Sequence, residues 1–432
     1  MTRRGSWWAF AGTAAIVGAL TGVAAATFRI ALSWLTSRRG QVIDWSHGHW
    51  WAPPLFVAGC ALATTIAAGL VHRVEPHAEG SGIPRVEAVV EGRAAPGRFR
   101  IFPVKYVGGL LSMGAGLALG REGPSVQMGG NIAVMVSTLT RRHGEQLRLL
   151  VAGGAAAGLA TAFNAPIAGG VFVLEELLKR FDPKATVATL TASAAGFASA
   201  HLLVHSDTTF HVARLGEPRL AQAGWVALAG LLCGGAAVAY NRTVMRALHA
   251  ADTSSWPVEL RAAVIGALIG AIALMKPQLV GGGDNLTQQA LLGSGALVGV
   301  LGVLALRWVL GAVSYAAGTP GGLFAPMLVL GTHLGLAVGI VARAVDPNSP
   351  PPAALALIGM AAFFAASVHA PVTAIVLASE MTGTTSQLAP TLGACAIAMT
   401  LALAMRQEGI YDLLTTRAAR AARENQLTQN AS

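Results

Sequence analysis

Charge is scarce in this sequence. Asp, Glu, Lys and Arg make up 12% of its 432 residues, against about 25% in a soluble globular chain, and that shortage excludes an ordinary water-soluble domain. Cysteine is nearly absent. The 3 present, Cys60, Cys233 and Cys395, are isolated in apolar runs with neither disulfide nor metal-ligand spacing, and read as small core residues. No alternating polar/apolar strand pattern occurs, which argues against a β-barrel. A Gly-Lys-Ser/Thr nucleotide loop and a Gly-x-Ser-x-Gly elbow are both missing, as is the His/Glu spacing of a zinc site. A membrane-embedded enzyme built from Ser81, His77 and Glu79, with residues 120–124 as a phosphate loop, therefore has no supporting motif, and neither cofactor nor metal is expected.

Apolar residues fill the space that charge leaves. They make up 54% of the chain, alongside 52 glycines, and mean hydropathy is +0.58. Apolar runs cover residues 7–35, 53–71, 104–119, 125–140, 147–178, 185–204, 221–244, 260–274, 293–316, 327–345, 354–379 and 388–404. Several exceed the roughly 18–20 residues that a spanning helix needs. The pattern predicts an all-α polytopic membrane protein. Arg3 and Arg4 precede the first run, but that run is too long for a signal peptide and leads into further spans. The net charge of +10 sits mostly in loops and at the ends, at Arg93 to Arg100, Arg141, Arg142 and Arg406 to Arg423. Positive loops retained in the cytoplasm explain this more simply than nucleic acid does. The reading is a multi-pass protein of the cell (inner) membrane with both termini cytoplasmic. Residues 1–411 form a single transmembrane domain, and 412–432 a short cytoplasmic tail without a regulatory domain.

One stretch breaks the apolar rule. Gly120-Arg121-Glu122-Gly123-Pro124 places two charges between apolar runs, where each costs about 2.5–3.5 kcal/mol on insertion scales. The flanking glycines and proline predict a helix that stops and restarts, leaving free N–H groups at the new N-terminus. Such a terminus attracts anions. Glu122 is then an anion tethered where a free anion could also sit.

The chain also repeats itself. Asn164-Ala165-Pro166 opens a segment ending in Glu175-Glu176-Leu177, and His369-Ala370-Pro371 opens a similar one 205 positions later. Glu122 and Phe324 stand 202 positions apart, nearly the same offset. Two halves, roughly 1–205 and 215–411, each with a broken helix at a matching place, suit a transporter whose site lies between repeats near the midplane.

Gly80-Ser81-Gly82-Ile83-Pro84, Gly120 to Pro124 and Gly322-Leu323-Phe324-Ala325-Pro326, followed by Tyr411, resemble the signature motifs of the CLC chloride channel and transporter family, in its prokaryotic chloride/proton exchanger branch. The resemblance runs from the first helix to the tail. It implies tilted and broken helices in two inverted-topology repeats, and a homodimer with a pore in each subunit. It also implies site residues. Ser81, the backbone at Leu323 and Phe324, and the Tyr411 hydroxyl would hold a dehydrated chloride. Glu122 would be the external gate and proton carrier, and Glu176 the internal proton glutamate, which many channel members replace with an apolar residue. The implied function is chloride/proton antiport, with a passive chloride channel of the same fold as the alternative. Ser81 and Tyr411 disfavour the fluoride branch, and Ser81 in place of proline disfavours nitrate preference.

The residue types suit that chemistry. Partial charges from helix ends, a hydroxyl and a phenol offset dehydration without trapping the ion. A carboxylate at the same place competes with the anion and vacates the place when protonated. Plainer roles exist for each residue: Ser81 as a helix cap, Glu122 as a structural partner of Arg121, Glu176 as part of a solvated helix end, and Tyr411 as an interfacial aromatic.

Overall fold

The computed structural model describes residues 3–204, 208–212 and 215–431; the expected limit of the first repeat at residue 205 lies outside them. Seventeen α-helices occur among the described residues, and no named strand. The first eight are α1 (Arg3–Ser46), α2 (Ala52–Arg73), α3 (Ile83–Val90), α4 (Ile101–Gly114), α5 (Glu122–Leu139), α6 (Glu145–Phe163), α7 (Pro166–Phe172) and α8 (Pro183–His201). The next eight repeat their order: α9 (Ala223–Asp252), α10 (Val258–Met275), α11 (Asp284–Leu291), α12 (Leu297–Tyr315), α13 (Phe324–Val345), α14 (Pro352–Val368), α15 (Pro371–Thr382) and α16 (Leu388–Ala404). The last, α17 (Ile410–Ala431), stands outside the repeat. It also alters the expected tail, since residues beyond 411 continue the helix that carries Tyr411.

Among the described residues, seven helices are long and apolar enough to cross a bilayer. Others are too short. At 1.5 Å per residue, the 8 residues of α3 and of α11 span only about 12 Å, so these helices end inside the bundle. The 147–178 run divides where the sequence predicts. Asn164 ends α6 in the left-handed conformation (φ 57°) and Pro166 opens α7. His369 (φ 70°) and Pro371 divide the 354–379 run in the same way. Proline at a first turn loses no hydrogen bond, because that N–H has no helical partner.

The two halves are tied together by matching contacts. Glu380, on α15, accepts the N–H groups of Ile167 (3.0 Å) and Ala168 (2.7 Å) at the start of α7. Glu175, 205 positions earlier, accepts those of Val372 (3.0 Å) and Thr373 (2.7 Å) at the start of α15, together with the Thr373 hydroxyl. Each helix thus has its open N-terminal donors filled by a carboxylate from its counterpart. These are charge-assisted bonds to groups that otherwise lack partners.

The centre of the bundle is made of α5, α6, α13 and α14, whose facing sides carry glycine and alanine. A Cβ built on Gly129 would lie 2.0 Å from the Gly154 carbonyl oxygen, and one on Gly331 2.6 Å from that of Gly359. The α5–α6 and α13–α14 crossings are therefore backbone against backbone, as small-residue interfaces allow in membranes. Gly129→Leu is expected to force α5 off α6 and cost about 3 kcal/mol or more, read as a large drop in melting midpoint in detergent. Gly12→Ala, at a position with open space around it, should leave that midpoint within a degree or two. Equal midpoints for the two variants would contradict the close crossing.

Candidate ion site at the helix breaks

Backbone hydrogen bonds bring the three motifs to one place. The N–H of Gly80 donates to Thr319 O at 3.1 Å, and that of Gly321 to Gly80 O at 2.9 Å. Gly120 and Gly322 exchange N–H···O bonds at 2.8 Å each. Behind them, Lys105 is fully buried and donates to the carbonyls of Ala78 (3.0 Å), Glu79 (3.4 Å) and Gly80 (2.7 Å). Turning those carbonyls toward Lys105 leaves the following turn free to present donors. Gly82 turns in the left-handed conformation (φ 75°) and α3 begins.

Ser81 is fully buried in this junction. Its Oγ accepts the Ile83 N–H at 3.3 Å, and its own N–H donates to the Tyr315 hydroxyl at 3.3 Å. The N-cap position of α3 is Gly82 and makes no side-chain cap bond, so the plainer role of Ser81 as that cap does not hold. The start of α5 presses directly on this residue: a Cβ on Gly123 would stand 2.7 Å from Ser81 Cα and Cβ. Leu323 and Phe324 are fully buried at the start of α13. The Phe324 ring sits among Phe163, Phe172, Phe364 and Tyr411, with centroids 5.3, 5.2, 4.5 and 6.2 Å away. Its side chain is core, and only its backbone faces the junction.

Glu122 is buried in the first turn of α5. Its carboxylate folds back against Gly120 and Ala325, where α5 and α13 begin. Its neighbour Arg121 does not pair with it. Arg121 Nε donates to Ala162 O at 3.1 Å and Nη1 meets Asp284 Oδ2 at 3.3 Å, so the structural-pair role does not hold for Glu122. Tyr411 is fully buried, which removes the interfacial-aromatic role. Its ring packs against those of Phe172 and Phe324, with centroids 6.3 and 6.2 Å away.

Glu176 lies on a π-helical turn, Val173–Leu177, that continues α7, a distortion frequent at functional positions. Glu175 turns outward to cap α15, and Glu176 turns inward and is buried. It is not part of a solvated helix end. Beyond it lies a charged cluster: Lys179 Nζ meets Asp412 Oδ1 at 2.6 Å and Glu87 Oε1 at 3.3 Å, and Thr415 donates to Glu87 Oε2 at 2.9 Å. Burial works against the Lys179 charge, but the bond to Asp412 and the charge of Glu87 outweigh it and raise its pKa above the ordinary lysine value. Arg417 grips Asp252 through two bonds of 2.6 and 2.7 Å. These contacts fix α17, and with it Tyr411.

Buried side-chain oxygens without a hydrogen-bond partner include Glu122 Oε2, Glu176 Oε1 and the Tyr411 hydroxyl. Buried polar groups are nearly always bonded, so open oxygens on three of the six predicted site residues fit a place where an ion or proton is exchanged. Sequence reasoning missed Lys105, Tyr315, Asp284 and Glu380. Lys105 carried a signal, a charge at the start of an apolar run and 202 positions before Arg307. Tyr315 carried none, since only the fold brings it to Ser81.

Helices broken inside a bilayer-sized bundle, with buried acids at the breaks, define a secondary transporter of the inverted-repeat class. A family model described as voltage gated chloride channel matches residues 62–403, and the chain belongs to that family, the CLC family. It is 35% identical to the H(+)/Cl(-) exchange transporter ClcA of Klebsiella pneumoniae (strain 342) over 94% of this chain and 88% of that protein. It is 36% identical to ClcA of Citrobacter koseri over the same shares. Among solved structures, a slow cyanobacterial Cl-/H+ antiporter superposes with a TM-score of 0.91 at 30% identity, covering 95% of this chain and 97% of that one. A CLC-type fluoride/proton antiporter shares the fold, with a TM-score of 0.78 at 20% identity over 93% and 96% of the two chains.

Proposed function

We propose that this protein is a secondary active chloride/proton antiporter in which Glu122 is the outer gate and proton acceptor. The observation that carries this reading is the Glu122 carboxylate itself: buried at the hydrogen-bonded meeting point of the three motifs, with Oε2 unpartnered. An acid there has two stable options, to sit as a carboxylate on the donors at the helix starts or to take a proton and leave them to chloride. Ser81, the backbone of Leu323 and Phe324, and the Tyr411 hydroxyl supply the chloride contacts. Glu176 exchanges protons with the cytoplasm, and its burial beside the Lys179 cluster supports that role over a passive channel. The relatives at 35% and 36% identity are named as exchangers.

In this reading the substrates are chloride and protons, no cofactor or metal takes part, and no enzymatic reaction is assigned. The protein works in the lipid bilayer as a homodimer with both termini in the cytoplasm. Residues 1–411 act as one transmembrane unit, and 412–432 as a cytoplasmic extension. The test is flux from liposomes with chloride and pH electrodes: a chloride gradient should drive protons uphill, and purely passive chloride flow would overturn antiport. Tyr411→Ala should weaken chloride binding about tenfold, because it removes a hydroxyl hydrogen bond to a charged partner. Unchanged binding by calorimetry would take Tyr411 out of the site.

A further inference from the structure

The cavity that opens onto Glu122 has a volume of about 500 Å³, and the ionisable side chains on its wall are Arg39, Arg121, Glu122 and Asp284. Arg39 is engaged with the end of α4, where Nη1 donates to Met113 O at 3.4 Å and Gly114 O at 3.1 Å. The contact of Arg121 with Asp284 is looser. At 3.3 Å it is long for a charge-assisted bond, and the Asp284 side chain is 51% exposed. A pair so placed is held weakly and exchanges readily with water or ions.

The turn that carries Asp284 has a counterpart in the first half. Gly281-Gly282-Gly283 follows Gly80-Ser81-Gly82 by 201 positions. Gly82 and Gly283 both turn left-handed, at φ 75° and 93°, and each leads into a helix of 8 residues. As Lys105 holds the carbonyls before the first turn, buried Arg307 holds those of Leu279 (3.2 Å), Gly281 (2.7 Å) and Gly282 (3.0 Å). Glycine stands where the first turn has Ser81, and Asp284 where it has Ile83. Glu122 Oε2, buried and unpartnered, lines the same cavity.

We propose that Arg121 and the Gly282–Gly283 end of this turn form an outer capture site for a monovalent anion on its way to Glu122, with Asp284 as a tethered competitor for Arg121. The inference rests on the antiport reading and adds a residue that sets how readily the outer side takes chloride. The Asp284 carboxylate occupies Arg121 until an anion displaces it, and its exposure gives it room to swing aside. Asp284 is a specificity-setting residue in this scheme, since it repels further anions at the mouth of the cavity while it holds Arg121.

The test uses the purified protein in liposomes, with chloride uptake measured against external chloride at ionic strengths of about 20 and 500 mM. Asp284→Asn should lower the half-saturating chloride about three- to tenfold at the lower ionic strength, because removing a like charge at a cleft mouth speeds anion capture. That difference should shrink at the higher ionic strength. Arg121→Gln should raise the half-saturating chloride, and adding Asp284→Asn to it should recover only the part due to the lost like charge, clearly less than the drop that Asp284→Asn gives on its own. Asp284→Glu should behave as the unaltered protein. A purely structural Asp284 would lower the melting midpoint and maximal rate without moving half-saturation, and that result overturns the proposal. So does an Asp284→Asn shift that is equal at both ionic strengths. Absence of chloride uptake by the unaltered protein would overturn the transport reading as well, so the two failures are distinguishable.

Discussion

Glu122→Gln should leave chloride moving and reduce chloride-driven proton movement at least about a hundredfold, the scale on which a positioned proton carrier contributes. Glutamine matches glutamate in shape, so it still fits against Gly120 and Ala325, but it cannot take up and release a proton. Nor does it carry the charge that makes Glu122 a rival to chloride at the starts of α5 and α13. The proton arm of the cycle should fail while the anion path opens and closes by thermal motion alone. The measurement pairs a pH electrode with a chloride electrode on the same liposomes, the protein being checked for an unchanged melting midpoint. Continued uphill proton movement in this variant would remove Glu122 from the gate.

The second large effect separates two adjacent acids. Glu176→Gln should abolish coupled proton movement as well, with folding stability preserved, because the inward-facing Oε1 makes no hydrogen bond to lose. Glu175→Gln should do the reverse. It weakens the three bonds to Val372 and Thr373, which at a charged acceptor amounts to about 1–3 kcal/mol, and lowers the melting midpoint while residual protein stays coupled. Normal stoichiometry in Glu176→Gln would move the inner proton role to another acid, and Glu87 is the nearby buried candidate.

Much of this was legible in the sequence because broken helices are written in glycine and proline. Asn164-Ala165-Pro166, His369-Ala370-Pro371 and the three glycine motifs mark turns that only a few residue types tolerate, and they mark them at almost constant offset. The inward direction of Glu176 was not legible. A π turn is made by one extra residue in the hydrogen-bond ladder and has no compositional mark, so nothing in Glu175-Glu176 says which carboxylate faces which way. The Lys105 and Arg307 clamps were half legible, as charges in apolar runs, but their carbonyl partners depend on turns closing in space. Asp284 was silent for a different reason. It stands in a polar glycine-rich stretch where an aspartate is unremarkable until Arg121, 163 positions earlier, is placed beside it.

The crossed caps on α7 and α15 have a consequence for how the molecule is made. When the first half has emerged from the ribosome, the two leading amides of α7 have no Glu380 to accept them and Glu175 has no amides of α15 to receive. Only after residue 380 is synthesised can both debts be cleared at once. The caps of each half are therefore completed only by the other, which ties the last step of assembly to the meeting of α7 and α15.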